Sequence, residues 1–123
     1  EFCKVDAKLK WPNDVVCDGQ KLSGTLTEMS SEVDYINYLV IGTGINANVM
    51  EFPEELSKTA ASLKLLTGKQ TDRAGLIACC MEYFAEYYEK FLQTQDLSLL
   101  MEEYNELLAG TGGKVRVLEP GHE

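Results

Sequence analysis

The fold is decided by the stretch Lys-Trp-Pro-Asn-Asp at residues 10–14 and by Gln-Lys-Leu-Ser-Gly at residues 20–24, which follows closely. Pro12 fixes its own φ near about −65° and disfavours helix before it, so the chain is expected to turn after a strand. Asp-Gly at 18–19 is a strong hairpin signal. The two blocks are therefore predicted to lie side by side. An amide (Asn13), a carboxylate (Asp14) and an ammonium (Lys21) would then converge, where they could receive a phosphate, a carboxylate or both.

The remaining periodicities predict an α+β domain, with a mixed or antiparallel sheet packed against helices. Alternating residues indicate strands over 4–10 and 21–29, and the apolar centre of 35–45 indicates a strand buried on both faces. Helical spacing predicts a helix from Pro53 that ends at Gly68, one from Thr71 or Asp72 to about Leu92, and one from Asp96 to about Gly110. Trp11 is expected to be a core anchor. The stripe of the long helix is expected to pack in the core through Leu76, Ile77, Cys80, Met81, Phe84, Tyr88 and Phe91.

Charge and cysteine content exclude several classes of function. The 123 residues carry a net charge of −9, from 20 acidic and 11 basic side chains. A nucleic-acid or anionic-membrane surface is therefore a poor expectation. The apolar run 38–41 is far shorter than the roughly 20 residues of a membrane span. With no C-x-x-C pair and only His122, a zinc site would lack ligands, and the four cysteines are interpreted as reduced thiols of a cytoplasmic protein.

Taken singly, the polar residues leave their roles open. Lys21 could be an ordinary surface lysine, and Asp14 could cap a turn through its own backbone. Gly24 in a strand interior usually marks a close approach by another group, which could be a ligand. Gly-Thr-Gly at 42–44 would let a ligand lie against the backbone, but this short pattern is weak evidence by itself.

The blocks taken together resemble the biotin–protein ligases. The similarity covers 10–14, 20–28 and 40–48, continues through 52–56, 61–63 and Asp72-Arg73, and stays in register from about Lys8 to Val117. It implies the C-terminal part of a catalytic domain like that of class II synthetases, over residues 1–110. Residues 111–123, with a predicted strand over 114–118, would then begin a small SH3-like barrel.

The resemblance also implies an activity. These enzymes join biotin to ATP, forming biotinyl-5′-adenylate, and then pass biotin to a lysine of a carboxylase carrier domain. Lys21, Asp14 and Asn13 match the catalytic positions, and Mg²⁺ would accompany the nucleotide without a protein metal site. The matching biotin positions are Lys21, Gly24, Thr25, Leu26, Gly42 and Gly44. The matching nucleotide positions are Asn13, Ile45, Asn46 and Lys10.

Departures from the family pattern leave two alternatives open. The arginine- and glycine-rich loop that precedes the tryptophan block in these ligases does not occur in this sequence. We therefore expect the isolated chain to adenylate biotin poorly or not at all. Lipoate–protein ligases share the block at 21–24 and are one alternative. A non-catalytic fragment that binds biotin or a partner is the other, and an open sheet edge could let it form a homodimer.

Overall fold

The computed structural model describes residues 2–116 and confirms the predicted α+β class, with an antiparallel sheet. The strands of that range are β1 (Lys8–Lys10), β2 (Asp14–Cys17), β3 (Gln20–Ser31) and β4 (Ile36–Ile45). The helices are α1 (Leu63–Thr67), α2 (Arg73–Thr94) and α3 (Met101–Leu107). The strands pair in the order β1-β2-β3-β4, so each connection is a hairpin or a tight turn.

The turns at the start of the sheet follow the residues that form them. Asp18 and Gly19 have φ values of 49° and 77°, and they join β2 to β3 as predicted. The predicted strand over 4–10 is too long, because Lys4 has a φ of 50° and the Ala7 amide donates to the Val5 carbonyl. Both features belong to a turn rather than to an extended strand.

The core is small and lies beside β3. Leu22, Ala47 and Leu63 are buried together, and the segment after β4 is held there because the Asn46 amide donates to the Leu22 carbonyl. The prediction of a helix from Pro53 is wrong: residues 54–59 form successive turns.

The first helix begins only after Ser62. Its hydroxyl accepts a hydrogen bond from the Leu65 amide and donates one to the Val49 carbonyl, a side-chain cap that fixes the start of α1. Gly68 ends α1 in the left-handed conformation, with a φ of 71°, as predicted.

The predicted burial of β4 and α2 is wrong. Nine of the ten residues of β4 are exposed, because β4 is an edge strand and no described helix packs closely against it. No residue of α2 is buried, and Ile77, Met81 and Phe84 are 48–62% exposed. Between β4 and α2 lies an open apolar cleft of about 510 Å³. The helical stripe therefore faces the sheet without closing a core against it.

The C-terminal helix also begins later than predicted. Asp96 does not start it: its carboxylate accepts a hydrogen bond from the Ser98 amide at 2.9 Å and closes a turn, and α3 begins at Met101. The Tyr87 hydroxyl donates to Glu103 at 2.7 Å, which joins α2 to α3.

Beyond α3, the chain returns to the edge of β1, where the Ala109 amide donates to the Leu9 carbonyl. Residues 114–116 are not in a strand, and the rest of the strand predicted over 114–118 lies outside the described residues. The domain boundary at 110–111 stays a prediction.

Candidate functional site

One row of residues crosses all four strands on a single face of the sheet. Lys10 pairs with Asp14, Asp14 with Gly24, and Gly24 with Gly44. Directly paired residues of antiparallel strands project from the same face, so these four positions lie side by side. Two residues along, Leu26 pairs with Gly42 and extends this face. We call it the glycine face.

An irregularity in β3 brings Lys21 to this face. Strict alternation would place Lys21 and Gly24, which are three residues apart, on opposite faces. However, Val15 pairs with Ser23 while Val16 pairs with Lys21, so Leu22 is an extra residue on β3. Such a bulge re-aims the side chains beside it. The Lys21 Nζ consequently lies 2.9 Å from the Asp14 Oδ1.

The main chain of Lys21 is fixed while its side chain remains accessible. The Lys21 amide donates to the Thr59 carbonyl at 2.7 Å, and the Lys21 carbonyl accepts from the Ala61 amide at 2.9 Å. Its side chain is 53% exposed. The ammonium is thus held near Asp14 but can still meet a ligand from solvent.

Asp14 retains capacity to accept a hydrogen bond. Its side chain is 23% exposed and its Oδ1 is buried. The Lys21 Nζ is close enough to this oxygen to form an ion pair, but it is not aligned for a hydrogen bond. No other group in residues 2–116 donates a hydrogen bond to this oxygen. A buried acceptor without an aligned donor is uncommon, and this one lies against the Lys21 ammonium.

Asn13 is fixed in the turn before β2. Its carbonyl accepts from the Thr25 amide at 2.9 Å, and its Nδ2 donates to the Thr25 carbonyl at 2.8 Å. Trp11, two residues earlier, is 73% exposed, so its prediction as a core anchor is wrong. The turn packs through backbone hydrogen bonds instead of through the indole.

The glycines leave open space next to the ion pair. A Cβ added at Gly44 would meet nothing within 4 Å, and one added at Gly42 would meet only the Leu26 carbonyl oxygen, at 3.9 Å. The Leu26 side chain is 73% exposed. A flat, largely apolar ligand could therefore lie on this face with an anionic end at Lys21.

Two side chains expected at the site lie on the other face. The Thr25 Oγ1 contacts the Thr43 Oγ1 at 3.1 Å there, and Ile45 pairs with Ser23 and packs against the buried Leu22 cluster. Asn46 contributes through its backbone. Alternation from Gly24 and Gly44 already placed Thr25 and Ile45 opposite them.

Sequence reasoning also missed residues that act through the backbone. Thr59 and Ala61 hold Lys21 with main-chain atoms, which leave no side-chain signal in the sequence. Within residues 2–116 no three His, Cys, Asp or Glu side chains cluster as metal ligands. No helix in this range has the length and hydropathy to cross a bilayer.

Comparison with known proteins identifies the family. Residues 1–46 match the model of the biotin/lipoate A/B protein ligase family. Over 122 residues the chain is 37% identical to the bifunctional ligase/repressor BirA of Bacillus subtilis, covering 96% of this chain and 37% of that protein. Over 114 residues it is 32% identical to the biotin–[acetyl-CoA-carboxylase] ligase of Mycobacterium tuberculosis, covering 92% of this chain and 39% of that protein.

Solved structures agree with the sequence matches. A mutant biotin protein ligase from Aquifex aeolicus, in complex with biotin, superposes with a TM-score of 0.84 and 31% identity, over 98% of this chain and 49% of that one. The chain belongs to the biotin–protein ligase family. The same Aquifex ligase in complex with biotin and ATP superposes with a TM-score of 0.71 and 30% identity, over 85% of this chain and 42% of that one. The chain thus spans less than half the length of these ligases.

Proposed function

We propose that the glycine face belongs to an ATP-dependent biotin–protein ligase. The enzyme would form biotinyl-5′-adenylate and then transfer biotin to a lysine of a carboxylase carrier domain. The observation that carries the proposal is the Lys21 ammonium, held 2.9 Å from Asp14 beside the open glycines. Support comes from the Aquifex relative, which has been solved with biotin and with biotin and ATP.

Lys21 would serve the first step. A biotin carboxylate oxygen attacks the α-phosphorus of ATP, the new O–P bond forms, and pyrophosphate leaves with the electrons of the broken bond. Two unit negative charges 4 Å apart repel by about 4 kcal/mol at an effective dielectric constant of 20. A fixed ammonium between the anions offsets this repulsion and stabilises the charge that develops in the transition state.

Asp14 and Asn13 would serve the transfer step. The carrier lysine amine attacks the acyl carbon, the C–N bond forms, AMP leaves with the electrons of the broken C–O bond, and the nitrogen loses a proton to water. The Asp14 carboxylate, which is 23% exposed, could accept a hydrogen bond from that amine and orient it for attack. Asn13 holds the turn that places Asp14, and the Thr25 backbone holds Asn13.

The other positions divide between the two ligands. Leu26, Gly42 and Gly44 would lie along biotin, whereas Gly24 lies beneath the Lys21 side chain. Lys10, at the outer end of the cross-strand row, and Asn46, which follows β4, would lie towards the nucleotide, whereas the Ile45 side chain packs against the core. Mg²⁺ would be bound through the phosphates, because Asp14 alone is too few ligands for a protein site.

Location in the cytoplasm is part of the proposal. The thiols of Cys3, Cys17, Cys79 and Cys80 are all free. Free thiols are typical of proteins that work in a reducing compartment.

Calorimetry with biotin tests the proposal. We expect micromolar or tighter binding, and we expect lipoic acid to compete weakly; stronger binding of lipoic acid would favour the lipoate ligases. Adding labelled ATP then tests turnover. Biotin binding with little adenylate is the expected result for the isolated chain and is compatible with a binding fragment as well, detectable adenylate would exclude that fragment, and a folded chain that takes up no biotin would refute the proposal.

A further inference from the structure

Gly24 lies directly beneath the Lys21 side chain. A Cβ built on Gly24 would stand 3.0 Å from both the Cε and the Nζ of Lys21, and 3.3 Å from the Asp14 Oδ1. Carbon atoms in favourable contact are about 3.5–4.0 Å apart. A Cβ at this position would therefore require the end of the Lys21 side chain to shift by a few tenths of an ångström.

Space, not backbone conformation, explains this glycine. Gly24 has no positive φ, unlike Gly19 and Gly68, so another residue could adopt its backbone conformation. Its neighbours on the same face differ from it: a Cβ at Gly44 would meet nothing within 4 Å, and one at Gly42 would meet only a carbonyl oxygen at 3.9 Å. Gly24 alone among these three is crossed by a side chain.

We propose that Gly24 is a positioning residue for Lys21 rather than a lining residue of the biotin pocket. The Lys21 main chain is fixed by Thr59 and Ala61, so its side chain must pass over β3 to reach Asp14. The missing Cβ provides that passage. The consequence for biotin rests on the proposed function, whereas the path of the side chain does not.

The native chain allows a first test by nuclear magnetic resonance. The short distance between Lys21 Cε and the Cβ position of Gly24 predicts a nuclear Overhauser effect between the Lys21 Hε and Gly24 Hα protons. Since no variant is needed, loss of folding cannot obscure the result. A fully assigned spectrum without this cross-peak would overturn the proposal.

Chemical labelling provides a second test. Lysines are acetylated with limiting acetic anhydride, and the rate at Lys21 is read by mass spectrometry. Asp14→Asn should raise this rate about two- to fivefold, the range expected for a partly exposed ion pair. Gly24→Ala should raise it similarly, and adding Asp14→Asn to Gly24→Ala should change it little further. Gly44→Ala is the matched control and should leave the rate unchanged.

The outcomes separate the two proposals. Unchanged labelling in Gly24→Ala, with the Asp14→Asn effect retained in full, would overturn the positioning role even if biotin binds. Coupling between Gly24 and Asp14 in a chain that does not bind biotin would support the positioning role and refute the proposed function. A thermal unfolding curve for each variant confirms that the sheet is intact.

Discussion

Replacing Lys21 by Met tests whether its charge recognises the biotin carboxylate. The substitution keeps most of the length of the side chain and removes the ammonium. A hydrogen bond to a charged group contributes about 1.5–3 kcal/mol. Because the Lys21 side chain is 53% exposed, water competes for the contact and the lower end applies. A loss of about 1.5 kcal/mol corresponds to a roughly tenfold weaker biotin affinity.

The assay is calorimetry with two ligands, biotin and biotin amide, which lacks the negative charge. The native chain should prefer biotin, and Lys21→Met should lose that preference. Lys8→Met is the control, since it makes the same change in net charge at a side chain that is 44% exposed and lies against Asp6. Raising the salt concentration should reduce the ratio of the biotin affinity to the biotin amide affinity in the native chain, and should leave this ratio unchanged in Lys21→Met.

One result would refute this reasoning. If Lys21→Met binds biotin more tightly than biotin amide by the same factor as the native chain, the ammonium does not meet the carboxylate. Equal losses in Lys21→Met and Lys8→Met would point instead to net charge, and would remove Lys21 from the site.

Other predictions concern stability, titration and turnover. In urea unfolding, Leu22→Ala should lower the free energy of unfolding by about 3 kcal/mol, because Leu22 is 4% exposed. The control Leu26→Ala should change the free energy of unfolding by less than about 0.5 kcal/mol. Ser62→Ala removes the cap of α1 and should lower the free energy of unfolding by about 1–2 kcal/mol in the same assay. The hydrogen bond to Glu103, with burial, raises the pKa of Tyr87 to about 12, so ultraviolet titration should show a late phenol, and the contribution of this hydrogen bond to stability should be lost between about pH 10 and 12. Glu103→Gln should move that pKa back towards about 10, and a late phenol that persists would contradict the assignment. Labelled ATP and biotin should yield little adenylate with the isolated chain, and rapid accumulation would contradict that expectation.

The sequence predicted local structure better than burial. The Asp18-Gly19 turn and the end of α1 at Gly68 depend on nearby residues, and the structure confirms both. Trp11 and the stripes of β4 and α2 were expected inside. An apolar pattern shows which face is apolar but not what covers it, and these faces are exposed.

The site shows the same division. The proximity of Lys21 to Asp14 followed from the hairpin, and the structure brings the two side chains together. The means by which they meet did not follow, because the bulge at Leu22 depends on pairing with β2. Alternation along the strands could have placed Thr25 and Ile45 on the other face, but the family resemblance assigned them without regard to side-chain direction.

The extra residue in β3 has a consequence for how this segment tolerates insertions and deletions. Strand side chains alternate with a period of two, so removing Leu22 would abolish the bulge and leave Lys21 two positions from Gly24, on the same face as Asp14, while a buried side chain is lost from the core. Deletion of Leu22 should therefore cost stability and leave the ammonium on the side of Asp14, whereas a regular strand that keeps Leu22 would turn the ammonium to the other face.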